Sequence, residues 1–348
     1  MSTTVGPLGS GLGGGVELTL HNIAEEMQRR GHQIHIVAPT GSVDAALTII
    51  EIAGELQITA QTQSRHDPIT MPANAVLANM WEYARQIQER YDILVNFAYD
   101  WLPFYLTPFF QRPIAHLVSM GSLSDAMDQI IQQVADQFPG TIGVHSQAQA
   151  NTFPFAQQCR CLENGLDLSL YHFEANPDHR LAWVGRIAPE KGLEDAIAAV
   201  QKAQIPLSIW GTIQDEAYWN TLQRTYPDAP IRYEGFLPTA QLQQALGKCQ
   251  GLLMTPKWVE AFGNVAIEAL ACGVPVIAYH RGGPAEIVQQ GKTGWLVEPD
   301  QIDGLVDAIA YLDKIDRHAC RQQAETRYSM SAMGDRVEAW LSGVLGVG

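Results

Sequence analysis

RLAWVGRIAPEKGLEDAIAAVQKAQIPLSIW, residues Arg180–Trp210, is the stretch that decides the fold. It contains a strand-like run (Arg180–Val184), a helix-forming segment (Gly192–Ala203) and a second strand-like run (Pro206–Trp210). Two strands joined through a helix form a βαβ unit, in which the strands are parallel. Because the same alternation continues on both sides of this stretch, we predict an α/β protein built on doubly wound parallel sheets.

The N-terminal half repeats this alternation with longer loops. A helix with apolar residues at Val16, Leu20, Ile23 and Met27 follows a Gly-rich loop. A βαβ unit needs a strand before that helix, and only Met1–Val5 is available. We therefore expect either a very short first strand or a sequence that starts inside it. The later predicted strands are Gln33–Ala38, Tyr91–Phe97, Pro113–Val118 and Thr141–His145, and the helices are Asn74–Arg90 and Ser124–Asp136.

A chain of 348 residues is longer than most single domains, so we expect two. The polar, Pro-containing segment Phe173–His179 is the predicted linker. The tail Ser329–Leu345 has the spacing of an amphipathic helix, but the spacing does not name its packing partner.

The net charge of −15 bears on the class of partner. Residues 1–172 hold seven arginines, no lysine and sixteen acidic residues, and the remainder holds 15 basic and 21 acidic residues. Neither half has the basic surface that nucleic acid or an anionic membrane requires. No apolar run is long enough to span a membrane, no secretory leader is visible, and the five cysteines show no disulfide or metal spacing. We expect a cytoplasmic protein with reduced thiols.

Two cations lie in the loop GRIAPEKG (Gly185–Gly192), between a predicted strand and helix. Ligands of open α/β sheets bind at this edge, where Arg186 and Lys191 can hold phosphate oxygens. A solvated turn is the alternative interpretation.

The segment PKWVEAFGNVAIEALACG (Pro256–Gly273) carries two glutamates, Glu260 and Glu268. Strong helix formers begin at Val265, and Gly273 is a typical residue after a helix C-terminus. The backbone N–H groups that precede this helix attract phosphate or sugar oxygens. Both glutamates can instead be surface residues of a loop and a helix.

For two features of the N-terminal half, the sequence pattern allows two interpretations each. Gly13, Gly14 and Gly15 can bring backbone close to a phosphate or sugar, or form a flexible loop, and they match neither a P-loop nor a GxGxxG fingerprint. His116, at the end of an apolar strand, is either a core residue or a site residue. Because no cluster has metal-ligand spacing, we expect no metal site.

Taken together, these motifs resemble the retaining glycosyltransferases of the GT-B fold, family four. The resemblance rests on EAFGNVAIE, CGVPVIA, GGPAEIV, GRIAPEKG, ENGLD and GKTGWLVEP, and it is most specific over Trp183–Pro299. It implies two Rossmann-like domains facing a cleft. Residues 1–172 plus the C-terminal helix 329–348 form the acceptor-side domain, and residues 178–328 bind the nucleotide-sugar donor.

The resemblance also implies roles in the donor domain. Arg186 and Lys191 hold the diphosphate, and Glu268 binds the ribose hydroxyls. Glu260 contacts the donor sugar on its reacting side and counts as catalytic. Sugar and phosphate are further held by the backbone amides of Phe262, Gly263 and Asn264.

In the other domain the resemblance gives roles to three residues. Gly14 and Gly15 approach the diphosphate, and His116 touches the donor sugar as a second catalytic residue. Domain closure then excludes water.

The implied activity is transfer of a hexose from a nucleotide-diphosphate sugar to a hydroxyl, with retention. UDP-glucose is favoured only because it is the commonest donor in such families, and no cofactor or metal is expected. The basic amphipathic helix of lipid-modifying members is missing, which favours a small polar or carbohydrate acceptor that is soluble. The alternatives are a GT-B-fold epimerase, a phosphorylase or a non-catalytic nucleotide-sugar binding protein. The sequence does not show the oligomeric state.

Overall fold

The structure is a computed structural model that describes residues 1–58 and 64–347. Within these ranges it is an α/β protein whose strand ladders are all parallel. The strands are β1 (His35–Pro39), β2 (Thr48–Ile52), β3 (Leu94–Asn96), β4 (Ile114–Leu117), β5 (Ile142–Val144), β6 (Arg160–Cys161), β7 (Asp178–Val184), β8 (Leu207–Trp210), β9 (Ile231–Gly235), β10 (Cys249–Met254), β11 (Val276–Tyr279) and β12 (Gly294–Val297).

Helices connect these strands in the alternation that the sequence predicts. The α-helices are α1 (Gly15–Arg29), α2 (Val76–Ile87), α3 (Trp101–Leu106), α4 (Asp125–Gln137), α5 (Gln147–Ala150), α6 (Leu193–Ala203), α7 (Glu216–Thr225), α8 (Thr239–Gly247), α9 (Asn264–Ala271), α10 (Pro284–Ile287), α11 (Ile302–Ala310), α12 (Arg317–Arg327) and α13 (Met330–Leu345). Single 3₁₀ turns occupy Gln88–Arg90, Thr107–Phe109, Ala156–Gln158, Leu168–Leu170, Pro189–Lys191 and Leu312–Lys314.

The chain divides into two compact units. Unit 1 comprises residues 1–165 and 330–348, and unit 2 comprises residues 166–329. The predicted linker, Phe173–His179, lies inside unit 2, because the chain already joins that unit at Leu166. The backbone N–H of Leu166 donates to the carbonyl of Tyr328 at 2.8 Å, and Leu166 forms a parallel bridge with Ser329.

Unit 2 is built on a six-stranded sheet with the order β12-β11-β10-β7-β8-β9. The chain runs outward from β7 to β9, then returns to the other side of β7 and runs outward from β10 to β12. The strand order therefore reverses between β7 and β10, and crevices for ligands form at such reversals. All four residues of β8 and of β11 are buried, as expected for central parallel strands covered on both faces.

Unit 1 contains a four-stranded sheet, β3-β4-β5-β6, and a two-stranded sheet, β1-β2. No strand is assigned at Met1–Val5, but the first two residues hydrogen-bond on both sides. The Met1 amine donates to the carbonyl of Val95 at 2.9 Å, and the Ser2 N–H donates to the carbonyl of Val37 at 2.9 Å. Met1 and Ser2 thus lie between β3 and β1, and burial lowers the pKa of the Met1 amine to about 5.

Three elements were not predicted: α3, α12 and β6. The sequence of α12, RHACRQQAETR, is too polar to show a clear apolar stripe, although Cys320 and Ala324 are fully buried. In α3 the proline Pro103 lies in the first turn, where the missing N–H has no helical partner to lose. With only two residues, β6 is too short to produce an alternating pattern.

The tail helix α13 belongs to unit 1 and packs along α1. Arg30 joins the two helices through Asp335 and Glu338, each at 2.8 Å. Trp340 is 6% exposed, and its indole N–H donates to the carbonyl of Gly140 at 2.7 Å. The tail is therefore an integral part of the core of unit 1.

Replacing this indole should destabilise unit 1. We expect Trp340→Ala to lower the free energy of unfolding by about 3–5 kcal/mol, because it leaves a large cavity in the core. Urea denaturation followed by circular dichroism measures the change. Leu345→Ala, at a residue of α13 that is 37% exposed, is the control and should stay within about 0.5 kcal/mol of the parent. Equal effects of the two substitutions would contradict the packing described.

Candidate functional site in unit 2

The loop between β7 and α6 is held against the end of β10. A Cβ atom on Gly192, whose φ is +65°, would lie 2.0 Å from the carbonyl oxygen of Thr255. The hydroxyl of Thr255 in turn donates to the carbonyl of Gly192 at 2.7 Å. Only glycine permits this approach, so the two loops at the strand reversal are fixed side by side.

Arg186 and Lys191 both lie on this loop. Arg186 pairs with Glu190 at 3.2 Å and hydrogen-bonds the side-chain oxygen of Gln214, which follows β8. Lys191 hydrogen-bonds the carboxylate of Glu260, and its ammonium lies 5.0 Å from the centre of the Trp258 ring. Both cations are partly exposed at the carboxyl edge of the sheet.

Glu260 is therefore not a free surface carboxylate. The same oxygen that binds Lys191 accepts a hydrogen bond from the Trp258 indole at 3.1 Å. The side chains of Lys191 and Glu260 are only 20% and 17% exposed. The resemblance implies that these two residues contact separate parts of a ligand, whereas in the structure they pair with each other directly.

The N-terminus of α9 lies against the Gly-Gly-Pro turn that follows β11. Gly263 precedes the helix with φ +96°, and a Cβ atom there would lie 2.9 Å from Cγ of Pro284. A Cβ atom on Gly283 would lie 2.3 Å from the carbonyl oxygen of Phe262. The N–H groups at the start of α9 are thus held rigidly by close backbone packing.

The three residues predicted at this helix start differ in what they can offer. The Phe262 side chain is buried and meets the edge of the Tyr328 ring, so only its backbone remains for a ligand. Gly263 has only a backbone to offer. Asn264 is the first residue of α9 and is partly exposed.

Glu268 lies in the second turn of α9 and has no cation at ion-pair distance among the residues that the structure describes. Burial raises the pKa of its carboxyl to about 7. Such a carboxyl changes its charge near neutral pH.

A charged network that was not predicted from the sequence stabilises this edge. Lys257 contacts Asp195 and, at 2.9 Å, Asp300. Tyr279 donates to Asp195 at 2.6 Å, and Arg281 donates to Asp300 at 3.0 Å. Because Lys257 is 62 and 43 positions from its two partners, no local pattern announces the network.

In unit 1, Glu17 organises the Gly-rich loop. This role of Glu17 was not predicted from the sequence. Its carboxylate accepts from the N–H of Gly9 at 2.8 Å, of Gly11 at 3.2 Å and of Gly13 at 2.6 Å. Gly14 precedes α1 with φ +56°, and Gly15 is the first residue of that helix. The available signal was an acidic residue in the first turn of a helix, next to a glycine cluster.

Two family models of glycosyltransferases match this chain. The family model described as Glycosyl transferases group 1 matches residues 172–327, and the model described as Glycosyltransferase Family 4 matches residues 13–120. Both models describe glycosyltransferases, and together they match the greater part of the chain.

Curated relatives match only part of the chain. Glycogen synthase of Mycobacterium tuberculosis is 30% identical over 167 residues, which is 45% of this chain and 40% of that protein. Sulfoquinovosyl transferase SQD2 of Arabidopsis thaliana is 33% identical over 132 residues, 37% of this chain and 25% of that protein. The matches thus span well under two thirds of the relatives' own lengths.

Solved structures match over nearly the whole length. Anabaena HepE, in complex with UDP and glucose, has a TM-score of 0.76 at 20% identity and covers 96% of this chain and 97% of its own. Sucrose-phosphate synthase from Thermosynechococcus elongatus has a TM-score of 0.75 at 17% identity, with 96% and 94% covered. The predicted fold, two Rossmann-like domains of the GT-B type, is confirmed.

His116 lies in the core of unit 1, whereas the resemblance implies a contact with the donor sugar. The ring is 0% exposed and stacks on Phe104 with centroids 4.2 Å apart. Asn96 and Thr107 lie at hydrogen-bond distance from its two nitrogens, 3.2 and 2.9 Å. Burial lowers the pKa of His116 to about 3. The core alternative fits this arrangement, because β4 is buried on both faces.

Within residues 1–58 and 64–347, no three His, Cys, Asp or Glu side chains are grouped so that they could hold a metal ion. Nor does any helix in those ranges combine the length and apolar character needed to cross a membrane.

The carboxylate of Glu17 should control the order of the Gly-rich loop. We expect Glu17→Ala to speed amide hydrogen exchange in residues 9–13 by about tenfold or more, because three N–H groups lose a charged acceptor. Exchange followed by mass spectrometry measures this. Glu25→Ala, on the exposed side of the same helix, should leave those amides unchanged. Unchanged exchange in Glu17→Ala would show that the loop is ordered without this carboxylate.

Proposed function

We propose that this chain transfers a hexose from a nucleotide-diphosphate sugar to a hydroxyl of a soluble acceptor, with retention of configuration. UDP-glucose is the proposed donor, and the cytoplasm, where the five cysteines would stay reduced, is the proposed location. The two family-model matches support glycosyl transfer, and a structural neighbour in complex with UDP-glucose supports the choice of donor.

One observation carries the proposal. Arg186 and Lys191 lie at the strand reversal of unit 2, on the loop that is fixed against the segment leading into α9. The leaving group of the reaction is a nucleoside diphosphate, whose negative charge grows as the glycosidic bond breaks. Two cations and the N–H groups at a helix start are suited to stabilise that charge.

The two carboxylates take different parts in this proposal. Glu260 accepts hydroxyl groups of the donor sugar when the diphosphate draws Lys191 toward itself. Glu268 accepts the ribose hydroxyls. Since neither attacks the sugar, the pair is not a glycosidase acid and nucleophile. Gly14 and Gly15 remain proposed backbone contacts of the diphosphate.

The proposed reaction is attack on the side of the leaving group. The bond between the anomeric carbon and the phosphate oxygen breaks, and the acceptor oxygen forms the new bond on the same face. The acceptor's proton passes to a phosphate oxygen of the departing nucleoside diphosphate. His116, buried and hydrogen-bonded at both nitrogens, has no part in this scheme.

Removing one cation should slow the reaction strongly. We expect Arg186→Ala to lower kcat for UDP-glucose turnover by about 100-fold or more, because one charge contact to the leaving group is lost. UDP release, with and without an acceptor panel, measures turnover. Lys202→Ala removes an exposed lysine of α6 that pairs with Asp303 and should retain full activity.

The same assay separates the alternatives. If UDP-, GDP- and ADP-sugars neither bind nor release nucleotide and Arg186→Ala changes nothing, the proposed function is wrong. Phosphate-dependent cleavage of a glycoside without nucleotide would indicate a phosphorylase instead. Binding without any turnover would indicate a non-catalytic protein.

Donor affinity should depend on pH through Glu268. An ionised carboxylate accepts two ribose hydroxyls better than a protonated one, and the pKa of Glu268 is about 7. We expect the Kd for UDP-glucose to fall by roughly tenfold from pH 6 to pH 8, as the ionised fraction rises. UDP-glucose is the right probe because its diphosphate does not titrate in this range. Calorimetry at several pH values measures the Kd.

Glu268→Gln is the matched control, since it keeps the shape and removes the titration. Its Kd should be nearly independent of pH. If both proteins show the same pH profile, Glu268 does not bind the ribose.

A further inference from the structure

Unit 1 contains a cavity of about 270 Å³ that none of the residues considered so far lines. Tyr99 and Asp100, three and four residues beyond the end of β3, form one side of it. Ser124 and Met127, at the start of α4, form another, and α4 follows β4. The cavity therefore lies at the carboxyl ends of two adjacent strands, where open α/β sheets bind ligands.

Among the lining residues that the structure describes, Asp100 is the one charged residue. Five of these described residues carry hydrogen-bonding side chains, and none is a cation. The five are Gln57, Thr70, Tyr99, Asp100 and Ser124.

Asp100 has spare capacity to accept hydrogen bonds. It has no ion-pair partner among the described residues, and Nε2 of Gln57 lies 3.4 Å from each carboxylate oxygen, which is a weak contact. Burial raises the pKa of Asp100 to about 6, with the contact to Gln57 and a backbone hydrogen bond from Trp101 acting in the opposite direction. A carboxylate has about four acceptor positions, so hydroxyl groups of a ligand can fill those left open.

The remaining wall is apolar and partly anchored. Ile69, Met71 and Met127 offer carbon surface, and the hydroxyl of Tyr99 is fixed by donation to the carbonyl of Gly121 at 3.2 Å. A sugar ring presents hydroxyls at its edge and C–H groups on its faces, which matches a carboxylate opposite such a wall. The volume lies below the range of about 300–1,000 Å³ typical for larger ligands, so it suits one ring.

We infer that this cavity binds a neutral hexose ring of the acceptor, with Asp100 accepting its hydroxyls. The inference rests on the proposed function, because it names the acceptor class of that reaction. A phosphorylated sugar is disfavoured, since its charge would meet the carboxylate without a neighbouring cation in the lining.

Ligand-observed NMR by saturation transfer tests the inference directly. The probes are glucose, galactose and fructose as neutral hexoses and glucose 6-phosphate as the anionic one, each with and without UDP. We expect at least one neutral hexose to bind and glucose 6-phosphate not to bind. Asp100→Asn should weaken the hexose by about tenfold or more, because a charged acceptor is lost.

Two further variants keep the test decisive. Thr70→Trp places a large ring at an exposed position of the lining and should abolish hexose binding without disturbing the core. Asp92→Asn, at an exposed acid just before β3, is the matched control and should bind as the parent does. Circular dichroism confirms that each variant is folded.

The experiment distinguishes a failure of this inference from a failure of the proposed function. UDP-glucose binding is measured on the same proteins and should be unchanged in all three variants. If no neutral hexose binds, or if Asp100→Asn and Thr70→Trp bind as the parent does, the inference is wrong even when donor turnover is normal. Hexose binding that depends on Asp100, without any donor binding, would uphold the cavity and overturn the proposed function.

Discussion

The backbone contact between Gly192 and Thr255 is the constraint on which the candidate site depends. It joins the loop after β7 to the loop after β10 at the point where the strand order reverses. A side chain on Gly192 would push these loops apart, and with them Lys191 and Glu260. The charged network around Lys257 holds the same segment from the other side, through Asp195 and Asp300. Glycine packing and ion pairs thus set the spacing of the side chains of the candidate site.

Much of the fold could be predicted because its signals are local. The unit β7–loop–α6–β8 is encoded in consecutive residues, and its apolar runs and flanking glycines indicate both the elements and their order. The boundary between the two units was harder to predict from the sequence. Leu166 joins unit 2 through Tyr328, 162 positions away in the sequence, whereas composition pointed to the polar segment Phe173–His179. A long-range hydrogen bond leaves no trace in local composition.

For the candidate site, the positions of the residues relative to the sheet were more predictable than the contacts between them. The motifs indicated Arg186, Lys191, Glu260 and Glu268, but the pairing of Lys191 with Glu260 spans 69 positions and has no local signal. His116 was ambiguous for another reason. All four residues of β4 are buried, so the apolar pattern around His116 does not distinguish a histidine that packs in the core from one that contacts a ligand. Three successive glycines before Glu17 indicate that the backbone can approach a ligand, but they do not indicate that a carboxylate holds the loop.

The pairing of Lys191 with Glu260 also bears on which anions the resting protein would retain. Inorganic phosphate or a simple polyphosphate that attracts Lys191 leaves the largely shielded carboxylate of Glu260 without its cation, at a cost in electrostatic free energy. A molecule that brings a phosphate and a hydroxylated ring together can offset that cost, because its hydroxyls replace the ammonium at Glu260. Under the proposed roles, a ligand must therefore supply both a phosphate for Lys191 and hydroxyl groups for Glu260. The ion pair thus discriminates against the abundant cellular phosphates that lack such hydroxyl groups.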